Sequence, residues 1–542
     1  QLQFPVGQGG FHMGWLAAHD QPVSLEPFEG DPLFVWAFDC GSDQLSVLER
    51  EIKSVECARV NLLFLSHLDD DHVVGVDKLL VATDEVEEVV LPYLNDVEWA
   101  LHLASGASSA SLSGGFIDLV SDPAAWFGSR GVKRLTYVDG HDEEGEGPDG
   151  PDPIDPTGED PRPLEGGFKP LKPEWSQVNS RTSVSVPGST EMIYVSRVPK
   201  GAVTSISSGY GQINWVLSPF AFRPSTARIN AFSSQLTKHF GAGLTARDYA
   251  NAARTAKGRQ QLRLCYDAVW KTHNLHSMAL YAGPATTSNL KLHCTAWQGN
   301  FLRRVVQPGW LSTGDFDFSV KIRRQKLLSY YSGYASMVGQ MMLSHHGSDH
   351  SFDGSVLSAF PDLTFAIAAV GANGHGHPGR VVQDSVDATP GVSFVRVDEA
   401  GHGVGPVAVL VDAVVGHLGG AGEDGHRAVV AVGRRGGLPR VRAVAVSGRR
   451  GEGRAEAVSV GVHEAGQAHR ALGGLHAGAA GVGHPARHAR HRVGHRDRPL
   501  LAHPPSRPGS EACCCGHALK LPARMGGARG PPTPPRWPAA AA

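Results

Sequence analysis

Ser66-His67-Leu68-Asp69-Asp70-Asp71-His72-Val73-Val74-Gly75 constrains the fold more than any other stretch of this 542-residue chain. Four side chains able to bind a divalent cation, His67, Asp69, Asp71 and His72, fall within six residues. They directly follow the apolar run Val60-Asn61-Leu62-Leu63-Phe64-Leu65, which predicts a buried strand. A strand that ends in a tight loop of imidazoles and carboxylates can aim them at one point, where one or two cations would sit. Alone, Asp69-Asp70-Asp71 would read as a solvated turn or a helix N-cap. Histidines at both ends and a strand in front favour a metal site.

The same arrangement of apolar run followed by polar cluster recurs along the chain. Leu2 to Phe11 reads as a strand entering a Gly-rich turn, Val6-Gly7-Gln8-Gly9-Gly10. Pro32 to Phe38 is a second strand, ending in Asp39-Cys40-Gly41. Apolar residues at helical spacing predict a helix over Gln44 to Glu56. Later come a strand from Asn274 to Tyr281, the run Pro308 to Ser312 ending in Thr313-Gly314-Asp315, and Met341-Met342-Leu343 ending in Ser344-His345-His346-Gly347-Ser348. Phe365 to Val370 leads into Asn373-Gly374-His375-Gly376-His377-Pro378. Four strand ends can thus converge on one rim of a sheet sandwich.

Composition divides the chain. At 41% hydrophobic it can bury one large core or two ordinary ones. No run of 18 apolar residues appears, so no membrane span is expected. No signal peptide is visible and the cysteines lack disulfide or zinc-finger spacing, so a cytoplasmic setting is expected. From Gly401 to Ala542 there is no Phe, Tyr, Ile or Asn, and 12 of the 27 His lie there. Such a segment cannot readily offset its chain entropy by burial, and disorder is expected. It also reads like GC-rich DNA translated in a shifted frame. It holds 19 basic and 8 acidic residues, leaving 31 basic and 45 acidic in 1–400, a net of −14 there. That acidic balance does not indicate a long nucleic acid as partner.

In order and spacing these motifs resemble the metallo-β-lactamase superfamily, whose signature is His-x-His-x-Asp-His, with Asp69 here at the second His. Val6-Gly7-Gln8-Gly9, Asp39-Cys40-Gly41, the His67–His72 loop, Thr313-Gly314-Asp315, His345-His346-Gly347-Ser348 and Asn373 to Pro378 follow the order of the β-lactamase-like domain of bacterial DNA-internalisation competence proteins. In that branch Asp often replaces the second His. The resemblance covers roughly 1–80 and 265–400. It implies an α/β fold, an αββα sandwich whose core halves are 1–80 and 265–400. Residues 81–264, with an acidic Pro/Gly-rich loop over 139–166, would be an insertion covering the site, and 401–542 a low-complexity tail.

The resemblance also implies roles. His67 and Asp69 would hold one cation, Asp71 and His72 the other, and Asp315 would bridge them. One of His345 and His346 would add a ligand. Asp39 would orient the metal loop, and Ser348, His375 and His377 would contact substrate. Two divalent ions are expected, with Zn²⁺ favoured and Mn²⁺ suited by the Asp-rich set. With Asp71 or the metal pair as base and Asp315 in the catalytic set, the implied reaction is hydrolysis of a small or flexible phosphoester by activated water. The alternatives are a thioester or lactone hydrolase of the same fold, or a non-catalytic binding module. A serine nucleophile at Ser348 lacks the Gly-x-Ser-x-Gly elbow.

Overall fold

The computed structural model describes residues 1–16, 32–55, 59–109, 112–142, 150–154, 171–208, 211–270, 277–287, 292–298, 300–371 and 376–399, and the backbone of three strands within 408–446. The strands are β1 (Leu2–Gln3), β2 (His12–Leu16), β3 (Phe34–Phe38), β4 (Arg59–Phe64), β5 (Glu85–Pro92), β6 (Arg134–Val138) and β7 (Lys172–Trp175). Next come β8 (Ser180–Ser185), β9 (Met192–Val198), β10 (Thr204–Ser208), β11 (Gly211–Ala221), β12 (Met278–Gly283), β13 (Leu292–Gln298) and β14 (Asn300–Val306). The last are β15 (Gly309–Ser312), β16 (Val338–Met342), β17 (Phe365–Ala369), β18 (Ser393–Val397), β19 (Ala408–Val411), β20 (Arg427–Arg435) and β21 (Leu438–Val446).

Two eight-stranded sheets dominate, in the orders β1-β2-β3-β4-β5-β6-β9-β8 and β18-β17-β16-β15-β12-β11-β10-β7. Both are mixed. β3 to β6 and β9 run parallel, flanked by antiparallel β1, β2 and β8. β15 to β18 run parallel, and β12, β11, β10 and β7 antiparallel. β13 pairs with β14 and β19, and β20 with β21.

The apolar runs form strands because both faces of each sheet are covered, which calls for near-continuous hydrophobic sequence. Alternation then sorts the side chains. In β3, Phe34, Trp36 and Phe38 enter a cluster shared with Trp215, Leu280, Trp310 and Ile367 of the second sheet, so the sheets pack face to face. Val35 and Ala37 point the other way, into a cluster with Leu48, Ile52, Leu101 and Tyr266 from helices. On the far side of the second sheet, Leu311, Ala366 and Ala368 meet Leu327, Tyr330 and Val386. The protein is therefore a mixed α/β structure of two sheets and helices.

Residues 81–264 differ from the expected insertion. β5, β6, β9 and β8 extend the first sheet, and β7, β10 and β11 complete the second. The metal-type motifs are silent on these strands because none of them ends in a ligand. Their apolar runs, such as Val89-Val90-Leu91, still bury fully. Predicted helices at Val97–Ala104 and Ala246–Thr255 form as Asp96–Ser109 and Ala246–Ala253. Most of the acidic 139–166 loop and residues 447–542 lie outside the described residues. Among the described residues, no helix is long and apolar enough to cross a membrane.

Candidate metal centre

Parallel strands deliver their carboxyl ends to one rim of each sheet, where ligand sites of α/β sheets gather. From the first sheet, β3 delivers Asp39 and β4 delivers Ser66 to His72. From the second, β15 delivers Gly314-Asp315 and β16 delivers His345-His346. Met278 N–H donates to Ser66 O over 2.8 Å and ties the two rims together, and His345 N–H donates to Gly314 O over 3.0 Å within the second.

Each imidazole is held by one nitrogen. His72 Nδ1 lies 2.8 Å from Asp39 Oδ2, so the Nδ1–H donates and Nε2 points inward. Ser66 N–H and Oγ–H donate to Asp39 over 2.6 and 2.7 Å. With its proton committed to Asp39, Ser66 Oγ accepts from His67 Nδ1–H at 2.9 Å. His346 Nδ1–H donates to Ala369 O at 2.9 Å. Three Nε2 atoms therefore face inward.

What they face is anionic. His346 Nε2 is 3.1 Å from Asp71 Oδ2, and His72 Nε2 is 3.3 Å from Asp315 Oδ1. Two acceptors at that separation repel unless a cation, a proton or a metal ion, lies between them. Buried His67 Nε2 has no hydrogen-bond partner among the described residues. Two groups can converge on an ion: His67 with His72 and Asp315, and Asp71 with His72 and His346. In each, the ligand atoms lie within 4.8 Å of one another. The donor set of imidazoles and carboxylates fits Zn²⁺ or Mn²⁺.

The electrostatics follow from this crowding. Burial pushes His67 down to about 4, with His72 adding to the effect, so it is neutral near pH 7. Burial opposes the charge on His72, but Asp71, Asp39 and Asp315 together lift it well above the usual imidazole range. Burial likewise disfavours the Asp71 carboxylate, yet His72 and the His346 hydrogen bond hold it below its usual value. Asp315 is held down against burial by His345, His72 and His67. Asp70, beside the cluster, is raised to about 6 by burial and by Asp69, Asp71 and Asp43. The cluster is thus a field that attracts positive charge.

Several expectations need adjustment. His72 occurs in both groups, and Asp315 turns Oδ2 toward His67 and Oδ1 toward His72. Asp69 stands apart at 34% side-chain exposure, its Oδ2 3.7 Å from His67 Nε2, as the N-cap of the short helix Asp70–Val73. Of the His pair, His346 joins a group. His345 is 30% exposed, with Nε2 3.8 Å from Asp315 Oδ2 and Nδ1 3.2 Å from Ser351 Oγ. Ser348 is 1% exposed and its N–H closes the turn on His345 O, so burial removes the substrate contact expected of it. Partly buried His377 stands 5.2 Å from the His345 ring. His375 lies outside the described residues.

Sequence reading missed the supports: Ser66, Ser277 and the Ala369 carbonyl. Ser277 Oγ accepts from Asp315 N–H at 3.0 Å. The glycines carried a signal that went unused. A Cβ on Gly10 would meet Asp39 Oδ2 and His72 Nδ1, each at 3.0 Å, and one on Gly41 would meet the Asp71 backbone at 2.3 Å. These loops can pack on the metal loop only without side chains. No protein-family model matches the sequence, and no curated protein matches it closely enough to count as a relative.

Proposed function

We propose that the chain is a metal-dependent hydrolase on the αββα sandwich of the metallo-β-lactamase type, acting on a small or flexible phosphoester. The observation that carries the reading is the set of three imidazoles whose outer nitrogens are committed to Asp39, Ser66 and Ala369, with their inner nitrogens turned toward carboxylates. The two facing sheets with helices outside them, and the order of the strand-end motifs, support the fold assignment.

His67, His72 and Asp315 would hold one divalent ion, and Asp71 with His346 the other, with Asp69 at the margin. The one inner nitrogen of His72 can serve a single ion. Bound ions would supply a water acidified to near neutrality and would offset charge developing on substrate oxygens. The residues do the rest. Asp39 and Ser66 fix the tautomers of His72 and His67. Asp71 Oδ2 is the base to which we assign the proton lost by the attacking water. His345 and His377, partly exposed, are assigned to substrate contact and to protonation of the leaving oxygen.

The test is metal analysis of the purified protein, with hydrolysis assayed on a panel of phosphodiester, carboxylic ester, thioester and lactone substrates. The reading expects bound Zn²⁺ or Mn²⁺, preference for the phosphodiester, and loss of both metal and turnover in Asp71→Ala. Preference for the thioester or lactone would move the activity to the same site with another substrate. Retained hydrolysis by Asp71→Ala would refute the mechanism.

A further inference from the structure

His12 is a polar ring in an apolar layer. It sits on β2 opposite Phe38, whose ring belongs to the core between the sheets. It is 3% exposed and stacked on Trp310 with ring centroids 3.8 Å apart. Neither of its ring nitrogens has a hydrogen-bond partner among the described residues. A neutral imidazole carries one donor and one acceptor, and leaving each unmet in a core costs about 1–3 kcal/mol. A phenylalanine would stack on Trp310 without that cost.

Beside the ring lies a cavity of about 30 Å³. His12 and Ser312 line one part of it, and Asp39, His72, Asp315 and His346 another. A buried water needs about 10–15 Å³ of such space and two to four polar partners. This cavity offers both, for one or two waters. We propose that it is a built water site in which buried water bridges the His12 ring to the metal-ligating wall, making His12 a positioning residue for the centre. His12 supplies the hydrogen bonds that keep water on the inner side of the cluster. The water in turn braces these residues from the cavity side.

The water site rests on burial and geometry alone, whereas its effect on the cations rests on the metal reading above. The experiment compares wild type with His12→Phe and His12→Gln. A high-resolution crystal structure of the wild type should show ordered water within hydrogen-bond distance of a His12 nitrogen. His12→Phe should lower the melting temperature of the metal-free protein and weaken Zn²⁺ binding roughly 10-fold, the effect typical of an outer support. His12→Gln, which keeps a donor and an acceptor, should recover much of both. A dry cavity, or a His12→Phe protein as stable as wild type or more so, would overturn the water site. Lowered stability with unchanged Zn²⁺ affinity would overturn the positioning role. Wild-type protein that holds the water but no Zn²⁺ would sink the metal reading and leave the water site standing.

Discussion

A histidine becomes a predictable metal ligand when its second nitrogen is committed elsewhere, since that commitment fixes both tautomer and ring orientation. Asp39, Ser66 and the Ala369 carbonyl do this for His72, His67 and His346. Asp39→Ala should therefore weaken Zn²⁺ binding by about 10- to 100-fold, measured by competition with a chromogenic chelator, while the ligands themselves stay in place. Gly10→Ala attacks the same pair from outside, because its Cβ would press on Asp39 and His72. It should cost about 1–3 kcal/mol of stability in urea titration and lower metal affinity as well. An unchanged affinity in both variants would mean that the Asp39–His72 contact does not govern the site.

At the scale of elements, the site consists of strand ends that turn sharply. Asp39, His345 and His346 have φ of 57°, 48° and 56°, and they are the non-glycine residues with positive φ among those described. Such backbone costs of order 1–3 kcal/mol per residue and persists where surrounding structure enforces it. Here the enforcement includes the hydrogen bonds of Asp39 with Ser66 and His72, of His345 N–H with Gly314 O and of His346 Nδ1–H with Ala369 O. The strand preceding each ligand cluster was legible in the sequence, because Phe34–Phe38 and Phe365–Ala369 are uninterrupted apolar runs and the run over 60–64 is broken only by Asn61. The membership of β5 to β11 in the sheets was not legible, because no local pattern states which strand another will pair with. Trp215 on β11 makes the point: its ring packs 5.9 Å from Trp36 of β3, across 179 residues of chain, between the sheets. Trp215→Ala should destabilise the whole unit by about 3–5 kcal/mol in a single cooperative transition. A separate early transition, with the main one unmoved, would restore 81–264 to an independent insertion.

For the molecule as a whole, the site was legible where it is local and hidden where it is not. His67 to His72 can be read in one glance, whereas Ser277 beneath Asp315 and Ala369 behind His346 become visible only when distant strands meet. Whole-molecule stability should also carry a histidine signature. His141, stacked on Phe220, is pushed down to about 3 by burial and then by Lys200 and Lys326. His12 is likewise held well below its usual value by burial. A group whose pKa is depressed on folding stabilises the protein above its unfolded value, about 6.5 for His, and that stability is lost as pH falls through the folded value. Melting temperature should decline as pH drops from about 6.5 toward 3, and His141→Phe should flatten that limb.

The central claim is that the strand-end imidazoles and carboxylates around His72 hold two cations. His72 is the member common to both groups, so the most direct measurement is metal stoichiometry of His72→Ala beside wild type, by elemental analysis of the folded proteins after equilibration with Zn²⁺. The account predicts two ions per wild-type chain and fewer than two in the variant. Two ions retained without His72, or a wild-type chain that holds no ion, would contradict it.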